Sequence, residues 1–182
     1  MKRISTILLI LTFLAAAPII AQEKPRVSPH ETVNANFDGN DITVVYGRPY
    51  TKDPKTGEKR KVWGALVPFG KTWRMGADEA TLLTTKQAID LGGSTIPAGT
   101  YSLFMLPAES GVSKLIVNKQ TGQWGTKYDE KQDLARIDLK KEAADKPVDQ
   151  FTIALEKTEA GGGVLKMTWD DTEFWVPLTV KK

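Results

Sequence analysis

The chain predicts an antiparallel all-β single domain, a sandwich or partly closed barrel of about ten short strands. Three observations carry that expectation. Apolar and polar residues alternate with period two in run after run. Turn residues recur at roughly 8–12-residue spacing. No stretch repeats apolar residues at helical spacing for the length of a helix. No internal repeat or low-complexity segment divides the chain, so residues 22–182 read as one domain.

Residues 1–21 stand apart. Lys2 and Arg3 precede an apolar run, Ile7 to Ala17, and small residues follow it, the layout of a secretory signal peptide. Cleavage after Ala21 or after Ala17 fits the pattern. An uncleaved anchor is the alternative, because the run only just approaches the roughly 20 residues of a span. After cleavage the chain is expected to be periplasmic or extracellular, with no stable membrane span. The sequence holds no cysteine, which excludes a lipid anchor on that residue, thiol chemistry and cysteine metal sites. It also leaves an exported chain without disulfides, so the core must supply its stability. The formal net charge is +3, from 25 basic and 22 acidic residues. Losing Lys2 and Arg3 with the leader reduces it to +1. A surface so nearly balanced offers no field for nucleic acid, which is not expected as a partner.

Gln22 to Ser28 reads as an extended lead-in, and Asp38-Gly39-Asn40-Asp41 as a turn. Ile42, Val44 and Tyr46 then share one face of a strand that ends at Gly47-Arg48-Pro49. Lys52 to Lys61, KDPKTGEKRK, is a basic loop, read as solvated. Val62 to Leu66 and Lys71 to Met75 read as short extended pieces, with a turn at Gly76 to Glu79. Ala80 to Thr85 and Ala88 to Leu91 are β-prone, and Gly92-Gly93 suits a hairpin turn. Gly99 to Leu106 is apolar on both faces, the mark of a central strand. Ser113 to Val117 returns. Ala135, Ile137 and Leu139 share a face, as do Phe151, Ile153 and Leu155, and Leu165, Met167 and Trp169. Lys140 to Asp149, charged and broken by Pro147, reads as a linker. Asp170-Asp171 reads as a turn, and Pro177 marks Phe174 to Val180 as an edge strand.

The densest stretch runs from Val62 to Thr85, where Trp63, Phe69, Trp73, Arg74, Asp78 and Glu79 sit among glycines and a proline. Two readings are open for the loop tryptophans Trp63, Trp73 and Trp124. They plug the end of the fold, or they present flat faces to a ligand. On the second reading the ligand-binding surface comprises Tyr46, Arg48, Trp73, Arg74 and Trp124. Its partner would be a small molecule, a glycan or an envelope protein, with no cofactor and no metal.

Catalysis has only weak candidates, Asp78 and Glu79, with Arg74 as anion stabiliser for hydrolysis of a glycan or peptide. Neighbours on an extended backbone point to opposite faces, so the two carboxylates could act together only if the Gly76-Ala77 turn bent them together. The plainer expectation is an ion pair with Arg74 or Arg48. His30 is the single histidine, has no motif around it, and reads as a surface or capping residue. HExxH, GxSxG, GxGxxG and P-loop motifs are all absent. Asp170, Asp171 and Glu173 lack the spacing of an EF-hand.

The segments YGRP (Tyr46 to Pro49), WGALVPFGKTWRMGADEAT (Trp63 to Thr81), IPAGTYSLFMLP (Ile96 to Pro107) and IVNKQTGQWGTKYDEKQDLARI (Ile116 to Ile137) resemble the DUF2911 family. These are secreted bacterial proteins, common in Bacteroidetes, with no assigned function. The resemblance covers nearly the whole chain after the leader and implies export and a compact β-rich domain. The family pattern runs close to WRTGANEAT. Met75 stands here for the threonine and Asp78 for the asparagine, a departure from any role that needs an uncharged amide at that position.

Overall fold

The computed structural model describes residues 26–159 and 161–181; the expected leader and its cleavage site lie outside them. Among the described residues ten strands make two antiparallel sheets. They are β1 (His30–Phe37), β2 (Asn40–Gly47), β3 (Thr81–Thr85), β4 (Ile89–Leu91), β5 (Ser94–Ile96), β6 (Gly99–Leu106), β7 (Lys114–Asn118), β8 (Asp133–Asp138), β9 (Lys140–Lys157) and β10 (Gly163–Val180). One sheet has the order β1-β2-β3-β6-β7-β8 and the other β5-β4-β10-β9. The two stay separate sheets, so the fold is a sandwich rather than a closed barrel. A 3₁₀ turn, Glu130–Gln132, precedes β8 and is capped by Asp129.

The core lies between the sheets. Ile42, Val44 and Tyr46 of β2, Leu83 of β3 and Leu103 and Met105 of β6 face Leu165, Met167 and Trp169 of β10 and Phe151 and Ile153 of β9. Each set follows period two, which is why the alternation was readable. The second face of β6 is also covered. Phe104, Ala80 and Ile116 form a small outer cluster under Tyr128, whose ring lies 4.8 Å from that of Phe104. The expectation of a central strand buried on both sides therefore holds. The hairpin at Gly92-Gly93 also holds: both residues have positive φ, 57° and 86°, as a two-residue turn between Leu91 and Ser94 requires.

Several local readings are corrected. Strand β1 begins after the lead-in, where no strand is expected from the sequence. Its alternation is diluted because Glu31 occupies an inward position beside Val33, Ala35 and Phe37. Lys140 to Asp149 is not a linker but the first half of β9, paired with β10 from Lys140↔Trp175 onward. Its charges are tolerated because β9 is an edge strand, where Pro147 is also tolerated. Asp170-Asp171 is no turn. The register with β9 shifts on either side of Asp170, whose φ is 54°, so the pair sits in a bulged stretch of one continuous strand. Asp170 is neutralised by Lys59 at 2.8 Å and Glu173 by Lys166 at 3.1 Å. Pro177 does not mark an edge strand, since β10 runs between β4 and β9. Pairing with β9 ends at Trp175, so the missing N–H breaks no ladder bond there. Val62 to Leu66 and Lys71 to Met75 join no ladder. They touch other segments through single bridges, Trp63↔Val67 and Trp73↔Met105.

Those bridges hang an aromatic plug on the sandwich. Trp73 donates to and accepts from Met105 at 2.7 and 2.8 Å. Its ring stacks on Trp169 at 5.7 Å, with planes 17° apart, and meets Trp63 and Phe151 edge-on. Trp63 Nε1 donates to the Trp169 carbonyl at 3.3 Å. Each such ring pair adds roughly 0.5–1.5 kcal/mol beyond the area it buries. For Trp63 and Trp73 the plug reading is the observed one. Trp124 instead remains 50% exposed.

Candidate functional site

The site begins with a bent turn, Met75 to Glu79. Met75 and Asp78 have positive φ, 51° and 63°, and Gly76 sits at 157° between them. A left-handed conformation is uncommon for any residue with a Cβ, and asparagine and aspartate tolerate it best. The turn is held from both sides. Ala77 N–H donates to the Gly47 carbonyl at 3.2 Å, and Gly125 N–H donates to the Asp78 carbonyl at 2.9 Å. The Thr81 hydroxyl donates to the Met75 carbonyl at 2.6 Å inside the core. Gly47 cannot carry a side chain there, because a Cβ would lie 2.4 Å from the Ala77 carbonyl oxygen.

The left-handed Asp78 cancels the alternation that would have sent its neighbour to the other face. Both carboxylates reach His30: Asp78 Oδ2 lies 3.5 Å and Glu79 Oε2 3.3 Å from Nε2. Arg26 completes the cluster. Its guanidinium makes a bidentate pair with Glu79 at 2.6 and 3.0 Å, and Nη1 also lies 3.0 Å from His30 Nε2 and 3.8 Å from Asp78. The Arg26 hydrogen bonds hold the Glu79 carboxyl below its ordinary range. Nε2 accepts from Arg26 only when unprotonated and donates to the carboxylates only when protonated, so the two contacts are alternatives. The expected ion pair at Asp78 and Glu79 therefore exists, but with Arg26 rather than Arg74 or Arg48, and His30 joins it only in its protonated form. His30 lies at the surface, as expected, but is not isolated there. It heads β1 opposite Gly47, which places it beside the turn.

His30, Asp78 and Glu79 offer one imidazole and two carboxylate ligand atoms, all within 4.8 Å of one another. Such a donor set suits a divalent cation. The Arg26 guanidinium lies among these atoms and supplies the positive charge they would otherwise seek. The same closeness bears on hydrolysis. A retaining glycosidase holds its two carboxyl groups about 5–5.5 Å apart with the sugar between them. Here a guanidinium and an imidazole fill that space.

A cleft of about 400 Å³ opens beside the turn. Trp73 and Trp169 form part of its wall, with Pro49, Gly76, Ala77 and Asp78. Val27, Tyr50 and Leu66 also line it, and these are 65%, 38% and 39% exposed. Three cationic side chains, Lys52, Arg60 and Arg74, complete the lining. Arg60 is anchored by donating to the Tyr50 carbonyl at 2.6 Å and lies 4.0 Å from Asp53. Arg74 donates through Nε to the Gly76 carbonyl at 3.3 Å, and its stem covers Gly125 so closely that a Cβ there would lie 2.0 Å from Cδ. Among the described residues, neither Lys52 nor Arg74 has a carboxylate within ion-pair distance.

The five side chains read as a ligand surface are thus separated. Trp73 and Arg74 line the cleft. Tyr46 is buried in the core, where its hydroxyl accepts from Ile153 N–H at 2.8 Å and burial pushes its pKa up to about 12. Arg48 ties β2 to β9 through the Phe151 carbonyl and Thr152 hydroxyl, at 3.0 and 2.8 Å, and pairs with Glu31. Trp124 lies beside Glu79 through a single bridge. Asp133 is engaged by Tyr128, Asn118 and Arg136, and Asp129 caps the 3₁₀ turn. The cleft residues that went unread are Val27, Tyr50, Lys52, Arg60 and Leu66. The basic loop held two of them, but no local pattern links it to Trp73.

No helix among the described residues is long and apolar enough to cross a membrane. No curated protein and no solved structure matches the chain. Residues 28–178 match the family described as "Protein of unknown function (DUF2911)". The match spans both sheets, the Met75–Glu79 turn and nearly all of the cleft lining, and the chain belongs to the DUF2911 family.

Proposed function

We propose that this protein is a non-enzymatic binding module of the exported compartment that takes a small ligand into the cleft beside Trp73 and Arg74. One observation carries the reading. Among the described residues, three of the six exposed large hydrophobic side chains, Val27, Tyr50 and Leu66, converge on a single concavity whose wall holds two tryptophans. Apolar side chains left in water singly are ordinary, whereas several gathered in a concave site of small-molecule size mark a binding position. Export rests on the composition of residues 1–21 and would be checked by the mass of the mature chain, with Gln22 as the expected first residue.

Intrinsic tryptophan fluorescence tests the binding. Trp73 sits in the cleft wall, so a panel of glycans, peptides and lipids should include members that shift the emission saturably. Arg74→Ala should abolish the shift while circular dichroism shows the fold intact. A panel that leaves the emission unchanged would sink the reading.

A second reading, hydrolysis through Asp78 and Glu79, is favoured by the imidazole between them. Against it stands the guanidinium that fills the space a substrate would need. Turnover of a chromogenic glycoside or ester, lost in Asp78→Asn and Glu79→Gln, would revive it.

A further inference from the structure

We infer that the ligand of this cleft is an organic anion, a carboxylate or a phosphate ester, joined to a flat apolar body. The inference rests on the cleft being the binding site. It adds the chemical class.

The argument is one of charge within a bounded volume. A cleft of about 400 Å³ admits a small molecule but not a folded partner. Four charged side chains line it, and only Asp78 is acidic. Asp78 faces away toward Arg26 at 3.8 Å, which it shares with Glu79, and toward His30 at 3.5 Å, so one carboxylate stands against three cations in the lining. Arg60 faces Asp53 at the limit of an ion pair, 4.0 Å. Lys52 and Arg74 face no carboxylate among the described residues. The field inside the cleft is therefore that of uncompensated cations.

The surface between those cations is aromatic and aliphatic. Tyr50, Trp73 and Leu66 offer contact area and few hydrogen-bond acceptors. A neutral sugar would present many hydroxyls to side chains that mostly cannot accept from them, since lysine and arginine only donate. An anion with a flat hydrocarbon body matches both halves of the lining. Its charged end accepts from the Arg74 fork and from Lys52, contacts stronger than neutral hydrogen bonds. Its ring covers the exposed faces of Trp73 and Tyr50.

The test uses three probes of one shape: naphthoate, naphthyl phosphate and the neutral naphthalenemethanol. Affinities come from calorimetry, and the Trp73 indole N–H signal in a nitrogen-15 NMR spectrum reports position. Naphthoate or the phosphate should bind and move the Trp73 signal, with the alcohol at least about tenfold weaker. Added salt should narrow that gap. Lys52→Gln and Arg74→Gln should each reduce it, and Lys52→Gln, at an exposed position, carries the test should Arg74→Gln unfold. Whichever anion binds distinguishes a carboxylate from a phosphate source. Equal binding of anion and alcohol would overturn the anionic class while leaving the cleft as a site. Failure of all three probes would overturn it too. In that case, neutral members of the glycan, peptide and lipid panel that still moved Trp73 would preserve the cleft, and silence from the whole panel would remove the site as well.

Discussion

Two charged neighbourhoods share the Met75–Glu79 turn, and they differ in how their charges are met. On one side Arg26, His30, Asp78 and Glu79 form a closed set in which every group faces an opposite or hydrogen-bonding partner. On the other, Lys52 and Arg74 stand over aromatic surface without a carboxylate among the described residues. The first neighbourhood has the more suggestive residue types, a histidine between two acids. The second has the unmet charge. A group already satisfied by its neighbours has little to gain from a ligand, whereas an uncompensated cation beside apolar surface can gain from both parts of an amphipathic anion. On the proposed reading the closed cluster is structural and the cleft is where a ligand binds.

Four changes sharpen or break that contrast. The largest effect should come from Trp73, which joins the cleft to the core. Trp73→Ala removes a ring packed on Trp63, Phe151 and Trp169 and should cost roughly 3–5 kcal/mol in urea unfolding. Trp124→Ala, at a half-exposed ring, should cost less than about 1 kcal/mol. Equal costs would mean that the Trp124 loop is as integral to the fold as the plug.

Gly47→Ala comes next. Its new Cβ would press on the Ala77 carbonyl, which is backbone and cannot swing aside. A loss of roughly 1–3 kcal/mol is expected. Chemical-shift changes should concentrate at His30, Ala77 and Asp78. A silent Gly47→Ala would show that the turn is not wedged against β2.

The smallest effect belongs to the closed cluster. Arg26→Ala breaks a partly exposed ion pair and should cost less than about 1 kcal/mol near neutral pH. Its diagnostic is titration. Arg26 depresses the Glu79 pKa in the folded state, so the stabilisation is present above the unfolded value of about 4.3 and is lost as pH falls through the folded value. A carbon-detected titration of the Glu79 carboxyl should have its midpoint rise in Arg26→Ala. The stability gap between the two proteins should shrink as pH falls through the lowered folded value. An unchanged midpoint would mean that other groups hold Glu79 ionised, and the closed-cluster description would fail.

Strands whose two faces differ were legible residue by residue. Ile42 to Tyr46, Ala135 to Leu139 and Leu165 to Trp169 alternate because one face meets the core and the other meets water. Legibility failed where that contrast failed. The first half of β9 is exposed on nearly every residue, so its ladder with β10 left no apolar signature. In β1, Glu31 occupies an inward position for the sake of Arg48 and Tyr46. Within the candidate sites, Trp73 and Arg74 drew notice through their own chemistry. Tyr50 and Leu66 did not, because an apolar residue in a loop becomes informative only when a second one lies beside it in space.

Composition and period two were sufficient for an all-β domain without cysteine, with β6 at its centre and an aromatic, glycine-rich stretch as its densest feature. These are properties of neighbouring residues, and alternation and turn chemistry act over a few positions. The partners of the charges were settled at long range. Arg26 meets Glu79 across 53 residues, and His30 reaches the same turn because β1 begins opposite Gly47. One left-handed residue, Asp78, turned two carboxylates that a straight strand would have separated toward a single imidazole. Pairing across such distances depends on how the two sheets and their loops close around the core, and no local pattern in the chain encodes it.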